Sequence, residues 1–341
     1  MAEVQVVILG LGRIGTSIGL ALKKYNGRTG AKHQFRITGY STRSDEVKVA
    51  QKSGAVDTIS AQPNDAARGK DVVVMAMPYA EVEAAYQYVA SDLRPGAVVL
   101  DFSPLKQNPL KWAQKHLSRD AHMVGLTPLV NPTLLFEGVN TVEHASADLF
   151  DNGVMLVMPS VTCIPEAIEL ATDFGGILGA RTQFIDPAEH DSLIAATEVM
   201  PALLGLGYYV ALSRATGWND VARTSNPNFG MLTHALFDTH PDDLVAQLRD
   251  SKTDSVRVLD TVLAALRELR MALAADDRDT LETVSAEASE NYEQWYNKRY
   301  HWKFDSDKLP TPEAPGIMTS LFGSFLGNRL NRGGKSDNDK K

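Results

Sequence analysis

Residues Val4 to Leu9 form an apolar, β-branched run that stops on Gly10-Leu11-Gly12-Arg13-Ile14-Gly15, and a helix-compatible stretch, Thr16 to Lys24, comes directly after it. Strand, glycine loop and helix in that order aim the loop's backbone N–H groups and the positive end of the helix dipole at one point, which suits an anion. Gly10 permits the tight turn, Gly12 lets a pyrophosphate approach the backbone, and Gly15 lets the helix pack closely on the strand. The string from Gly10 to Gly15, with Leu11, Arg13 and Ile14 between the glycines, is therefore the expected dinucleotide-binding loop.

The next strand, Phe35 to Tyr40, selects the dinucleotide. An NAD-binding chain usually carries an acid at its end for the ribose 2′-hydroxyl. Here the residues are Ser41, Thr42, Arg43 and Ser44. Hydroxyls and a planar fork of guanidinium donors suit a 2′-phosphate, so NADP is expected in preference to NAD.

The alternation continues along the chain. A helix is expected over Asp45 to Gly54, and a short return to the sheet over Gly54-Ala55-Val56-Asp57. Asp71 to Pro78 and Ala97 to Phe102 are near-continuous apolar runs of the kind that parallel strands buried on both faces require. Met77 and Pro78 fall at the carboxyl edge of the sheet, where open α/β sheets bind ligands. Helices over Tyr79 to Leu93, Leu110 to Leu117 and Ile164 to Leu178 interleave with strands over His122 to Leu126, Gly153 to Pro159 and Arg181 to Asp186. This pattern predicts an α/β, Rossmann-like, doubly wound and mainly parallel sheet over residues 1–186. After Asp186 the strand signals stop. Glu189 to Arg214, Pro241 to Leu248, Ser255 to Ala274 and Asp279 to Arg299 carry helical periodicity, which predicts a helical substrate and dimerisation domain over residues 187–308. Val256, Leu259, Val262, Leu263, Leu266 and Leu269 make one apolar stripe that needs a partner surface. Residues 309–341 are expected to be a flexible polar tail, in which Ile317, Leu321, Phe322, Phe325 and Leu326 could form a short amphipathic helix.

Composition narrows the partners. A net charge of −8 without a long basic run argues against nucleic acid. Cys163 is the single cysteine, which leaves no intrachain disulfide and fits a reducing compartment. The first residues enter a strand with no basic leader, and no uninterrupted apolar stretch reaches about 18 residues. A cytoplasmic protein without a membrane partner is expected.

The order of features resembles the prephenate/arogenate dehydrogenase family of NAD(P)-dependent enzymes. The matching strings are ILGLGRIGTSIGLAL, DVVVMAMP, RPGAVVLDFSPLK, LFDNGVMLVMP and LGARTQFIDPAEHDSLIAA. The resemblance implies a Rossmann-like domain, a helical dimerisation domain and a small-molecule carboxylate substrate. It also implies hydride transfer from a ring carbon bearing a hydroxyl to the nicotinamide, with decarboxylation that aromatises the ring. In that family a histidine takes the hydroxyl proton and an arginine binds a carboxylate.

The chain departs from this pattern where the chemistry lies. The family's Gly-His-Pro is Gly125-Leu126-Thr127-Pro128 here, so Thr127 stands at the catalytic histidine position. The family's serine falls on Pro104, beside Ser103. The Ser-His-Leu-Pro-His element is Glu198-Val199-Met200-Pro201-Ala202, with both histidines absent. Candidate catalytic residues are then His190, Thr127 and Ser103, with Glu198 as an alternative acid/base group. Lys106 matches the family lysine and Arg223 the substrate arginine, as candidates for binding the carboxylate. His234 and His240 are six residues apart, which does not suit adjacent ligands on one helix face, and no metal site is expected. Three readings compete: a prephenate/arogenate-type dehydrogenase with altered acid/base chemistry, an NADP-dependent reductase of a small keto acid or imine, and a non-catalytic NADP-binding sensor or interaction protein.

Overall fold

The structure, a computed structural model, describes residues 2–137 and 139–301. The expected tail and its apolar residues Ile317 to Leu326 lie outside the described residues. The chain divides into two compact units.

The first unit comprises the chain up to Asn131 together with Asn140–Pro187. Its elements are β1 (Ala2–Leu9), α1 (Arg13–Asn26), β2 (His33–Tyr40), α2 (Ser44–Lys52), β3 (Thr58–Ile59), α3 (Pro63–Ala67), β4 (Val72–Met75), α4 (Val82–Val89), β5 (Val98–Asp101), α5 (Gln107–His116), β6 (His122–Leu129), β7 (Val154–Pro159), α6 (Pro165–Ile177) and β8 (Arg181–Phe184). The strands form one eight-stranded sheet in the order β3-β2-β1-β4-β5-β6-β7-β8. All neighbouring pairs are parallel except β6 and β7. The strand order reverses between β1 and β4, which makes that crevice the ligand-binding switch point of a doubly wound sheet. Val6, Val7, Ile8, Val73, Val74, Val98 and Val99 are fully shielded, as central parallel strands require.

Three details differ from the sequence expectation. Helix α1 begins at Arg13, three residues before Thr16, because Gly12 takes the N-cap position. The stretch after α2 contains a two-residue strand, β3, and a five-residue helix, α3. Both are too short to show a period. Strand β6 runs on to Leu129, since β7 turns antiparallel and pairs Thr127 with Leu156.

The second unit comprises Pro132–Val139 and the described chain from Ala188. Its elements are α7 (Pro187–Ile194), a π-helical turn (Ala195–Val199), α8 (Met200–Ser213), α9 (Trp218–Arg223), α10 (Pro227–Thr233), α11 (Ala235–Asp238), α12 (Pro241–Asp250), α13 (Lys252–Ala274) and α14 (Arg278–Tyr300). The segment from Pro187 to Ser213 is one continuous helix, and Pro201 explains its widened turn. A proline inside a helix cannot donate to the residue four back and its ring crowds that carbonyl, so the ladder must bulge. The short helices α9 to α11 escaped the periodicity reading. Pro187–Ser213 is long and apolar enough to cross a bilayer by length and composition alone. It nonetheless carries the buried polar pair His190 and Asp191, and α8 packs against α10 and α11.

Candidate active site

At the amino end of α1 the structure has the cradle that a pyrophosphate needs. Gly10 has φ +96, and a Cβ there would collide with the carbonyl of Ala76 just after β4. Its N–H donates to Tyr40 O at 2.8 Å, tying the glycine loop to the end of β2. Thr16 Oγ1 donates to Leu11 O at 2.7 Å inside the core. No side chain caps the helix and no acid lies in its first turn, so the amides of this end suit a phosphate group. Arg13 is nearly buried and donates from Nε to His144 O at 3.2 Å. Met77 and Pro78 come after β4, half-buried beside the loop.

The end of β2 contains a side chain that the sequence reading missed. Ser41 Oγ donates to Glu46 Oε2 at 2.6 Å, and Arg43 Nη1 lies 3.4 Å from Glu46 Oε1. The Arg43 guanidinium is half exposed whereas the Glu46 carboxylate is largely covered. The available signal was an acid in the first turn of α2, five residues beyond the position where an acid is expected.

The carboxyl end of β5 holds a buried charged network. Asp101 accepts from Tyr86 Oη at 2.8 Å and from the Ser103 N–H at 2.8 Å, and Lys106 Nζ lies 3.7 Å from its carboxylate. Lys106 is completely buried; its ammonium donates to Asp101 O at 3.1 Å and to Ser103 O. Burial, with the neighbouring carboxylate, holds the Tyr86 hydroxyl well above its ordinary pKa, so it stays a donor. The lysine that the resemblance pointed to is thus built into the loop that carries Ser103.

Strand register brings Ser103 and Thr127 to neighbouring places. Asp101 pairs with Gly125, and each hydroxyl lies two residues further along. Ser103 Oγ and Thr127 Oγ1 are both buried and have no hydrogen-bond partner among the described residues. A buried hydroxyl without a partner is uncommon and needs a reason, and a missing ligand is one.

In the helical unit, His190 Nδ1 lies 2.8 Å from Asp191 Oδ1 and both residues are buried. Nε2 of His190 has no partner among the described residues. A carboxylate on Nδ1 fixes the tautomer that leaves Nε2 able to accept a proton. Arg223 is exposed at the end of α9. Glu198 lies in the π turn; its residue surface is largely open, yet loss of hydration by the surrounding atoms raises its carboxyl pKa. The ionised carboxyl is therefore penalised in the folded state, and the penalty grows as pH rises through the raised pKa. Glu198→Gln should raise the melting temperature slightly near pH 8, on the order of 1 °C, and leave it unchanged near pH 4. Scanning calorimetry at the two pH values checks this. His234 lies 3.0 Å from Asp238, and no cluster of three or more metal-ligating side chains occurs among the described residues.

A doubly wound sheet with an uncapped glycine cradle at its switch point defines a dinucleotide-binding unit. Residues 18–184 match the family model of the prephenate dehydrogenase nucleotide-binding domain. Over that stretch, about half of its length, the chain is similar to the prephenate dehydrogenase family. It is 22% identical to a cyclohexadienyl dehydrogenase of Zymomonas mobilis, over 90% of this chain and 98% of that protein. In fold it is similar to prephenate dehydrogenase from A. aeolicus, solved with hydroxyphenyl propionate and NAD+, at a TM-score of 0.70 and 16% identity over 86% of this chain and 99% of that one. The Synechocystis arogenate dehydrogenase gives a TM-score of 0.61 at 16% identity, over 85% and 99% of the two chains.

Proposed function

We propose that this chain oxidises a cyclohexadienol carboxylic acid of the prephenate or arogenate kind, with NAD(P) as hydride acceptor. The observation that carries the reading is the pair of buried hydroxyl oxygens in the first unit, Ser103 Oγ and Thr127 Oγ1, which have no partner among the described residues and stand on residues singled out for this chemistry. The coenzyme supplies the nicotinamide that takes the hydride. In the helical unit His190 is the group able to accept a proton, through Nε2, with Asp191 steadying the imidazolium. Thr127 and Ser103 hold the hydroxyl by hydrogen bonds; neither is a base near neutral pH. Loss of the ring carboxylate as carbon dioxide leaves its electron pair to aromatise the ring, and the phenolic oxygen recovers the proton. Arg223 binds a substrate carboxylate, and Lys106 acts through the loop it holds.

Residues 1–186 serve the coenzyme, and the helical region after them serves the substrate and pairs two copies in the cytoplasm. Val256, Leu263, Leu266, Leu269 and Leu273 are exposed along α13, a stripe that supports a homodimer rather than a membrane or nucleic-acid contact. Leu266→Glu should convert the dimer to a monomer, as light scattering would show; an unchanged mass removes α13 from the interface. For the coenzyme, Ser41, Thr42 and Arg43 support NADP, whereas Glu46 beside them supports NAD.

The function is tested by incubating the purified protein with each acid and each coenzyme. Equal amounts of reduced coenzyme and carbon dioxide are expected. Coenzyme binding without reduction by either acid at any pH overturns the reading in favour of the reductase or the non-catalytic binder.

A further inference from the structure

We propose that Glu46 discriminates between the two nicotinamide coenzymes: it accepts the adenosine ribose hydroxyls of NAD and competes with the 2′-phosphate of NADP for Ser41 and Arg43. The inference rests on the NAD(P) reading of the glycine loop and assigns a residue to its coenzyme choice.

The geometry begins with the register of the sheet. Leu9 pairs with Tyr40, and Gly10 N–H donates to Tyr40 O, so the residues after Tyr40 emerge beside the glycine loop. Ser41 occupies the place where an acid is expected, but its hydroxyl donates to a carboxylate that arrives from the first turn of α2. A Cβ built on Gly12 would lie 3.6 Å from Glu46 Oε1. The carboxylate therefore borders the glycine past which the coenzyme runs, and its helix returns to the strand end the acid that the strand lacks. A carboxylate there accepts hydrogen bonds from a ribose diol, as an acid at the strand end does in NAD-binding chains.

The same atoms oppose a phosphate. Arg43 is the natural fork for a 2′-phosphate, yet its guanidinium is paired with Glu46. Arg43 N–H donates to Ser41 Oγ at 3.1 Å, which holds the turn that presents all three side chains. Asp45 precedes Glu46, and its charge acts on Glu143 of the neighbouring segment. The Arg43 guanidinium is thus already paired with a carboxylate, and a 2′-phosphate must break the Glu46 contacts while standing next to a like charge. Repulsion between unit charges about 6 Å apart ranges from about threefold in affinity in bulk water to about a hundredfold at a partly covered surface, and a tenfold change lies within that range.

Glu46→Gln keeps the shape and removes the charge. The ratio of NADP to NAD in kcat/KM should rise about tenfold or more. Calorimetry with 2′,5′-ADP and with ADP-ribose reads the same preference without turnover: the variant should bind 2′,5′-ADP about tenfold more tightly and ADP-ribose less tightly. Adding Arg43→Ala to Glu46→Gln should cancel the gain. An unchanged or lower ratio in Glu46→Gln overturns the assignment, as does tighter binding that persists without Arg43. If no acid is turned over while both fragments bind, the dehydrogenase reading fails and the calorimetric comparison still decides the role of Glu46. If neither fragment binds the parent protein, both readings fall.

Discussion

Replacing His190 by asparagine should lower kcat by about a hundred- to ten-thousandfold, the usual contribution of a positioned base. Asparagine is chosen because its amide N–H can still donate to Asp191, which keeps the buried carboxylate partnered while removing the atom equivalent to Nε2. His190 is buried against Asp191, and an unpartnered carboxylate there would unfold the region for reasons unrelated to catalysis. The discriminating result is a loss of kcat with unchanged coenzyme affinity and nearly unchanged melting temperature. Activity within a few-fold of the parent protein returns the proton to another group, and Glu198, with its raised pKa, becomes the next candidate.

Lys106→Met should have the largest effect on stability. The substitution keeps most of the stem and removes an ammonium that is completely buried, 3.7 Å from the Asp101 carboxylate. Breaking a buried pair by deleting one partner costs about 3–5 kcal/mol, because the remaining charge stays buried without compensation. For a unit of this size that is a fall of about 10 °C in melting temperature. Asp101→Asn in the same chain should restore part of the loss, since the amide no longer needs a counter-charge. Gly125 belongs to this arrangement: a Cβ there would lie 2.8 Å from Lys106 Cδ, so the strand leaves room for the lysine stem. A Lys106→Met variant that melts like the parent protein would place the ammonium outside the network that holds Ser103.

Much of the first unit was legible because its signals are local. The glycine loop, the valine-rich strands β4 and β5, and the alternation of strands with helices each lie within a few consecutive residues. Burial on both faces leaves a parallel strand few residue types to choose from. The candidate residues were read the same way: Ser103 and His190 lie inside matched strings, and Thr127 at a departure from the family's pattern. Glu46 was not found, because its role depends on a turn and the first residues of α2 folding back on the strand end. Nor did the sequence show that the Lys106 ammonium would be enclosed by Asp101 and Ser103.

The sequence by itself determined the sheet class, the place of the coenzyme loop and the helical character of the chain beyond Pro187, since hydrophobic period and glycine spacing act over short stretches of chain. The tertiary structure decided which charges face each other. Tyr86 meets Asp101 from fifteen residues away, and Gly12 borders the carboxylate of Glu46. Such pairings depend on strand order and register, which bring distant segments to within a few ångströms and which no local pattern encodes.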